Sequence, residues 1–325
     1  ATPTGTEFTD WYPKHGTTVM FDEGKMITAG GWETGASIAS TNEAHVIDLN
    51  QPSPAVTATS PMIYPRKFHN GVMLPNGEVL VVGGNTSGQK FNDSGTVYPV
   101  EIWNPATENW REGAAMSVPR NYHSIALLLT DGTVLSAGGG LCNCAADHPD
   151  GQIFYPPYLY NSDGSLAARP SILTAPAAIR AGDLFEVTTD EDITHFSMIK
   201  MSSTTHAVNT DLRYLSVDFA GSGGNYELAA HSNPNVLTPG YWMLFALNAD
   251  GTPSVSKVVQ VRVENAADPD PVTTTSFNFL SFADTSAFQL NGSAFGTGGV
   301  ARLTPATADL AGSLFHRTPV VIDST

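Results

Sequence analysis

Three stretches of this chain repeat one another, and that repetition limits the possible folds more than any other feature. His15 to Gly31, His69 to Gly84 and His123 to Gly139 each open on histidine and continue through a short apolar run. Each then passes a turn closed by glycine, enters a second apolar run and ends on Gly-Gly. The Gly-Gly pairs start at residues 30, 83 and 138, a spacing of 53 to 55 residues. Asp22-Glu23-Gly24, Pro75-Asn76-Gly77 and Thr130-Asp131-Gly132 read as hairpin turns, because glycine supplies the positive φ such turns need. The closing Gly-Gly suits places where neighbouring backbones crowd.

Further strand-like runs at Ala44 to Leu49 and Val97 to Trp103 bring each unit to about four short strands. Four strands per unit of roughly 50 residues is the pattern of a kelch-type propeller blade. Three blades do not close a ring, since propellers use about four to eight. The expectation is therefore an incomplete propeller over residues 1–165, the last part of a ring whose earlier blades precede Ala1.

A polar stretch from Asn161 to Pro170 separates the blades from a different rhythm. Apolar-polar alternation recurs at 183–189, 194–201, 213–219, 225–230, 241–248 and 257–264, with turn signals between. This spacing predicts an immunoglobulin-like β-sandwich over 166–265. Residues 266–275 read as a second, Pro-containing linker, and 276–325 as the opening strands of a further β-module. The predicted class is all-β throughout.

Composition removes several functions. The chain carries 15 basic and 31 acidic residues for a formal net charge of −16, which lacks the basic footprint that nucleic acid requires. No run approaches the roughly 20 apolar residues of a membrane helix. Acidity with few lysines fits an extracellular protein.

Among the nine histidines two contexts draw attention. Tyr122 and His123 are adjacent at the start of the third repeat, and His206 sits in the polar run Ser202 to Asp211. Adjacent side chains on a strand face opposite ways, but at a strand's lead-in both can turn toward one ion. Two imidazoles and a phenolate form a nitrogen and oxygen set suited to Cu(II). Spacing alone leaves alternatives open. His123 also fits a blade histidine with a structural hydrogen bond, since His15 and His69 begin the other repeats, and His206 fits a solvated loop residue.

Several motifs resemble the galactose oxidase and glyoxal oxidase family of copper-radical oxidases. Ser117 to Leu129, with Asp131-Gly132, Gly138 to Cys142 and Gln152 to Tyr160, resembles the last blade of its propeller. Thr205 to Arg213 and Pro239 to Asn248 resemble its C-terminal sandwich. The resemblance runs in order from about residue 12 to 264. It implies that Tyr122 is an axial copper ligand and the base for the substrate proton, that His123 and His206 are the other ligands, and that Phe91 lines the substrate pocket. The implied reaction is oxidation of a primary alcohol or aldehyde by O₂ to give H₂O₂.

The departures are specific. The family's radical-bearing tyrosine and its thioether cysteine have no counterpart here, and Phe68, which matches Tyr122 in its own repeat, has no phenol. The chain alone is expected to be inactive. The family's Cys-x-x-Cys is Cys142-Asn143-Cys144 here, for which a disulfide, free thiols and metal binding all stay open. Gly35-Ala36 is small where galactose oxidase places substrate contacts, which argues against galactose itself.

The tail from Phe277 to Ile322 resembles the opening of a legume-type lectin jelly roll. That implies a carbohydrate-binding module, with polysaccharide as a partner. The competing reading of the whole is a non-catalytic kelch and lectin protein that binds carbohydrate or other partners.

Overall fold

The computed structural model describes residues 14–31 and 39–263, with the backbone of short strands between 288 and 316. The chain divides into two units, Ala1–Glu264 and Asn265–Thr325. In the second unit, Phe288–Gly292 pairs with Gly312–His316 and Phe295–Thr297 with Val300–Arg302, both antiparallel. The rest of the lectin-like stretch lies outside the described residues, as do the 266–275 linker and Gly35-Ala36.

The repeats fold as blades. The first is β1 (Thr17–Asp22), β2 (Lys25–Ala29), β3 (Ala44–Asp48) and β4 (Ala55–Ala58), in that order. The second is β5 (Lys67–Met73), β6 (Val79–Asn85), β7 (Pro99–Asn104) and β8 (Asn109–Ala115). The third has three strands among the described residues: β9 (Ile125–Leu128), β10 (Val134–Ala137) and β11 (Gly151–Phe154). Gly24, Gly77 and Gly132 close the hairpins with φ of 67°, 84° and 79°.

The Gly-Gly pairs have the role their sequence suggests. Gly31 N–H donates to the Arg66 carbonyl, and Gly84 N–H to the Arg120 carbonyl, so each pair joins its blade to the next. A Cβ on Gly30 would lie 2.6 Å from the His69 ring, and one on Gly83 would lie 2.6 Å from the Arg120 carbonyl oxygen. No larger residue fits either place.

The blades are not in simple register at their starts. From Arg66 the chain enters β5 directly, with His69 opposite Gly83. From Arg120 it first makes a turn, closed by Ser124 N–H donating to the Asn121 carbonyl, and β9 begins only at Ile125. His69 is consequently a buried strand residue bonded to the Ala29 carbonyl at 3.1 Å. His123 sits in a turn with φ of 71°. The match of His69 to His123 in the repeat alignment therefore does not extend to their surroundings. The segment from Arg to Gly-Gly is one residue longer in the third blade, and the turn absorbs it.

The sandwich contains β12 (Ile172–Thr174), β13 (Ala178–Arg180), β14 (Leu184–Thr189), β15 (His195–Lys200), β16 (Tyr214–Ser222), β17 (Asn225–Ala229), β18 (Gly240–Leu247) and β19 (Lys257–Arg262). Strand β16 joins the two layers. Its first half pairs with β15 and its second half with β17. Phe196, Val187, Leu228, Trp242 and Val259 form the buried centre, the inward half of an alternating pattern.

A second core locks the sandwich to the blades. Val19, Phe21, Met73, Val79 and Trp103 meet Ile199, Tyr214, Met243 and Phe245 there. Burying each such side chain contributes about 1.5–3 kcal/mol. Ser197 Oγ donates to the Pro75 carbonyl at 2.8 Å, and Met20 bridges Arg213 in parallel. This rigid seat matters because it fixes where the β15–β16 loop emerges. No helix among the described residues is long and apolar enough to cross a membrane.

Candidate metal centre

Two turns carry the candidate ligands, and both hold non-glycine residues at positive φ. The Asn121–Ser124 turn breaks strand alternation, so the rings of Tyr122 and His123 lie together, 4.1 Å between centroids. The β15–β16 loop ends in a tight turn in which Thr205 and Val208 exchange both backbone hydrogen bonds. His206 and Ala207 occupy its middle at φ of 55° and 64°. Those angles belong to a type I′ turn, which favours Asn and Gly. Such strain in non-glycine residues persists where surrounding structure enforces it, and it gathers at functional sites.

The two turns meet. The His206 ring lies 4.6 Å from His123 and 5.5 Å from Tyr122, at interplanar angles of 88° and 64°. Thr204 Oγ1 donates to Asn70 Oδ1 at 3.3 Å, which ties the loop to blade two.

Hydrogen bonds define which ring nitrogens face the cluster. His123 Nδ1–H donates to the Gly140 carbonyl at 2.6 Å. His206 Nδ1 pairs with Thr205 Oγ1 at 2.7 Å. Among the described residues neither Nε2 nor the Tyr122 hydroxyl has a hydrogen-bond partner. A bonded Nδ1 orients an imidazole and leaves Nε2 as the metal-facing atom. Two free imidazole nitrogens and a phenol oxygen make a donor set that fits Cu(II).

Aromatic rings surround the cluster. Phe91, at φ of 54°, lies 5.4 Å from Tyr122 and 5.5 Å from His123. Phe68 packs 5.3 Å from Tyr122 on another side, with His15 beyond it at 4.9 Å. Lys90 Nζ stands 5.1 Å from the Tyr122 ring centroid. His69, the remaining repeat-start histidine, is not in the cluster. Desolvation is the main reason its pKa falls to about 3, so it is neutral at ordinary pH.

Cys142 and Cys144 are joined by a disulfide. Asp147 Oδ1 accepts the Cys142 N–H at 2.8 Å, and that bond leads in holding the Asp147 carboxyl below its usual pKa. The disulfide loop begins beside the site, because Gly140 N–H donates to the Tyr122 carbonyl at 2.7 Å while its own carbonyl receives His123. Sequence reasoning reached Tyr122, His123, His206 and Phe91. It missed Thr205 and Gly140, which orient the imidazoles, and Lys90, although Thr205 and Lys90 adjoin residues it did select.

The fold and cluster define a protein in which partial kelch blades and a sandwich together present two imidazoles and a phenol. A family model described as "Galactose oxidase-like, Early set domain" matches residues 169–261. Galactose oxidase of Gibberella zeae is 41% identical over 254 residues, spanning 76% of this chain and 37% of that protein. An aldehyde oxidase of Arabidopsis thaliana is 31% identical over 242 residues, spanning 66% of this chain and 38% of that protein. A solved fungal alcohol oxidase in complex with copper is 37% identical with a TM-score of 0.76, covering 81% of this chain and 57% of that one. The chain belongs to the galactose oxidase and glyoxal oxidase family, and it spans little more than a third of the length of these curated relatives.

Proposed function

We propose that the chain is the C-terminal part of an extracellular copper-radical oxidase. The reaction converts a primary alcohol and O₂ to an aldehyde and H₂O₂, or oxidises an aldehyde hydrate in the same way. The observation that carries this reading is the meeting of Tyr122 and His123, from the blades, with His206, from the sandwich. His123 and His206 would hold the ion through Nε2 and Tyr122 through its phenol oxygen.

Copper supplies acidification of a coordinated hydroxyl and one-electron redox capacity. The protein's residues do the rest. Tyr122, as a phenolate on the bound ion, would receive the hydroxyl proton of an alcohol at its oxygen. Phe91 covers the apolar part of the substrate. The Gly140 carbonyl and the Thr205 hydroxyl keep both imidazoles in the ligating tautomer. The family's tyrosine-cysteine radical pair would come from blades outside this chain, so the chain by itself binds copper without turnover.

The substrate class is small primary alcohols or aldehydes, including carbohydrate-related ones, with O₂ as the second substrate. Polysaccharide binding by residues 276–325 belongs to the same proposal. Copper titration of the chain tests the reading. Tight Cu(II) binding with nitrogen hyperfine structure in its EPR spectrum is expected. Failure to bind Cu(II), or H₂O₂ release from primary alcohols by this chain alone, would each contradict part of the assignment.

A further inference from the structure

Phe91 lies in the loop after β6, and its ring stands within 5.5 Å of both Tyr122 and His123. The loop's first half is tied to a buried residue. Asn85 Nδ2 donates to the Gln89 carbonyl at 3.0 Å, and Gly88 N–H donates to Asn85 Oδ1 at 2.8 Å. Its second half is tied through one carboxylate. Asn121 Nδ2 donates to Asp93 Oδ1 at 2.6 Å, and His148 Nε2 lies 3.1 Å from both Asp93 oxygens.

These partners are not incidental. Asn121 is 1% exposed and directly precedes Tyr122. His148 closes the disulfide loop, with its N–H donating to the Gly139 carbonyl at 3.0 Å, one residue before the carbonyl that orients His123. Asp93 therefore joins three elements: the Phe91 loop, the turn that carries Tyr122 and His123, and the loop behind His123. Hydrogen bonds to a charged acceptor are stronger than neutral ones. The strained φ of Phe91 needs such a constraint to persist.

We infer that Asp93 is a positioning residue for substrate: its carboxylate, clamped by Asn121 and His148, sets Phe91 against the Tyr122–His123 face. This rests on the copper reading of that face. Asp93 touches neither metal nor substrate and acts through Phe91.

The test uses the full chain loaded with Cu(II), with benzyl alcohol as the probe. Cu(II) affinity is read by chelator competition, and alcohol affinity by the change it makes in the Cu(II) EPR spectrum. D93A should leave Cu(II) affinity within about twofold and weaken benzyl alcohol binding about tenfold, the scale of one lost charge-assisted hydrogen bond. F91A should weaken the alcohol similarly, and D93A combined with F91A should be no weaker than F91A alone, since the two act as one unit. Additive losses, an unchanged alcohol affinity in D93A, or an equal loss of copper affinity would each overturn the assignment.

Amide hydrogen exchange gives a readout that needs no metal. D93A should speed exchange at residues 88–96 while leaving 205–208 unchanged, and unaltered exchange at 88–96 would overturn the latch. Absence of Cu(II) binding in the unaltered chain would remove the copper reading instead, and the exchange result would still judge Asp93.

Discussion

Blades two and three begin alike and end with different uses for the same residues. Each opens on arginine followed two residues later by an aromatic and then histidine. Arg66 donates to the Gly83 carbonyl, and Arg120 to the Gly138 carbonyl. Beyond that they diverge. Arg66 meets Glu101 at 2.5 Å with both side chains 0% exposed, and His69 is sealed within a strand. Arg120 meets Asp150, whose side chain is 56% exposed, and His123 stands in a turn with Nε2 free. One blade spends its polar groups on its own packing. The other also buries its arginine but leaves the His123 Nε2 unbonded. A single extra residue before the strand is enough to separate the two outcomes.

The largest test of this contrast is ligand removal. H206A or H123A should abolish tight Cu(II) binding, whereas H69A should leave it intact, all by the same titration. Copper loss in H69A would mean that the blades are not specialised in this way.

Next comes the pair of ion pairs. E101A leaves Arg66 buried without its partner and also strips an acceptor from the Ile63 and Tyr64 amides. It should cost about 3–5 kcal/mol in a denaturant melt. D150A should cost less than E101A, because only the Arg120 side of that pair is buried and Asp150 is 56% exposed. Equal costs would erase the distinction.

His69 adds a pH signature. Its folded pKa of about 3 lies below its unfolded value near 6.5, so the unfolded chain binds the proton first as pH falls. The stability it contributes is complete above pH 6.5 and is lost as pH drops toward 3. Between pH 7 and 5 the loss from this group should be about 2 kcal/mol. H69Q should remove that part of the pH dependence in paired denaturation curves. The smallest effect is on orientation. T205V frees His206 Nδ1 and should weaken Cu(II) by about tenfold, the lower range for loss of an outer partner.

Much of the fold was legible because it follows from local rules. Alternation placed β14 to β19 within a residue or two at most ends, and Gly24, Gly77 and Gly132 marked the hairpins. Tyr122 and His123 were visible as neighbours, but the turn that lets both rings face one way was not. Its trace in the sequence is one residue of extra length between Arg120 and Gly138, a signal that matching histidine to histidine hides. His206 lies 83 residues after His123, and no periodicity connects them. Resemblance selected it, and the packed seat between sandwich and blades brings it near. The Asp93 clamp joins residues 28 and 55 positions apart, so only tertiary structure could reveal it.

The strained turn at His206 also has a thermodynamic consequence. An ion gripped by both His123 and His206 is a strut between two separately packed cores. By linkage, at about a hundredfold excess over its dissociation constant, it would add about 2.7 kcal/mol against unfolding. Part of that energy would resist separation of the sandwich from the blades. The same turn that presents a ligand would thus let the metal act as a fastener, and withdrawal of copper should be felt first at the seam rather than inside either core.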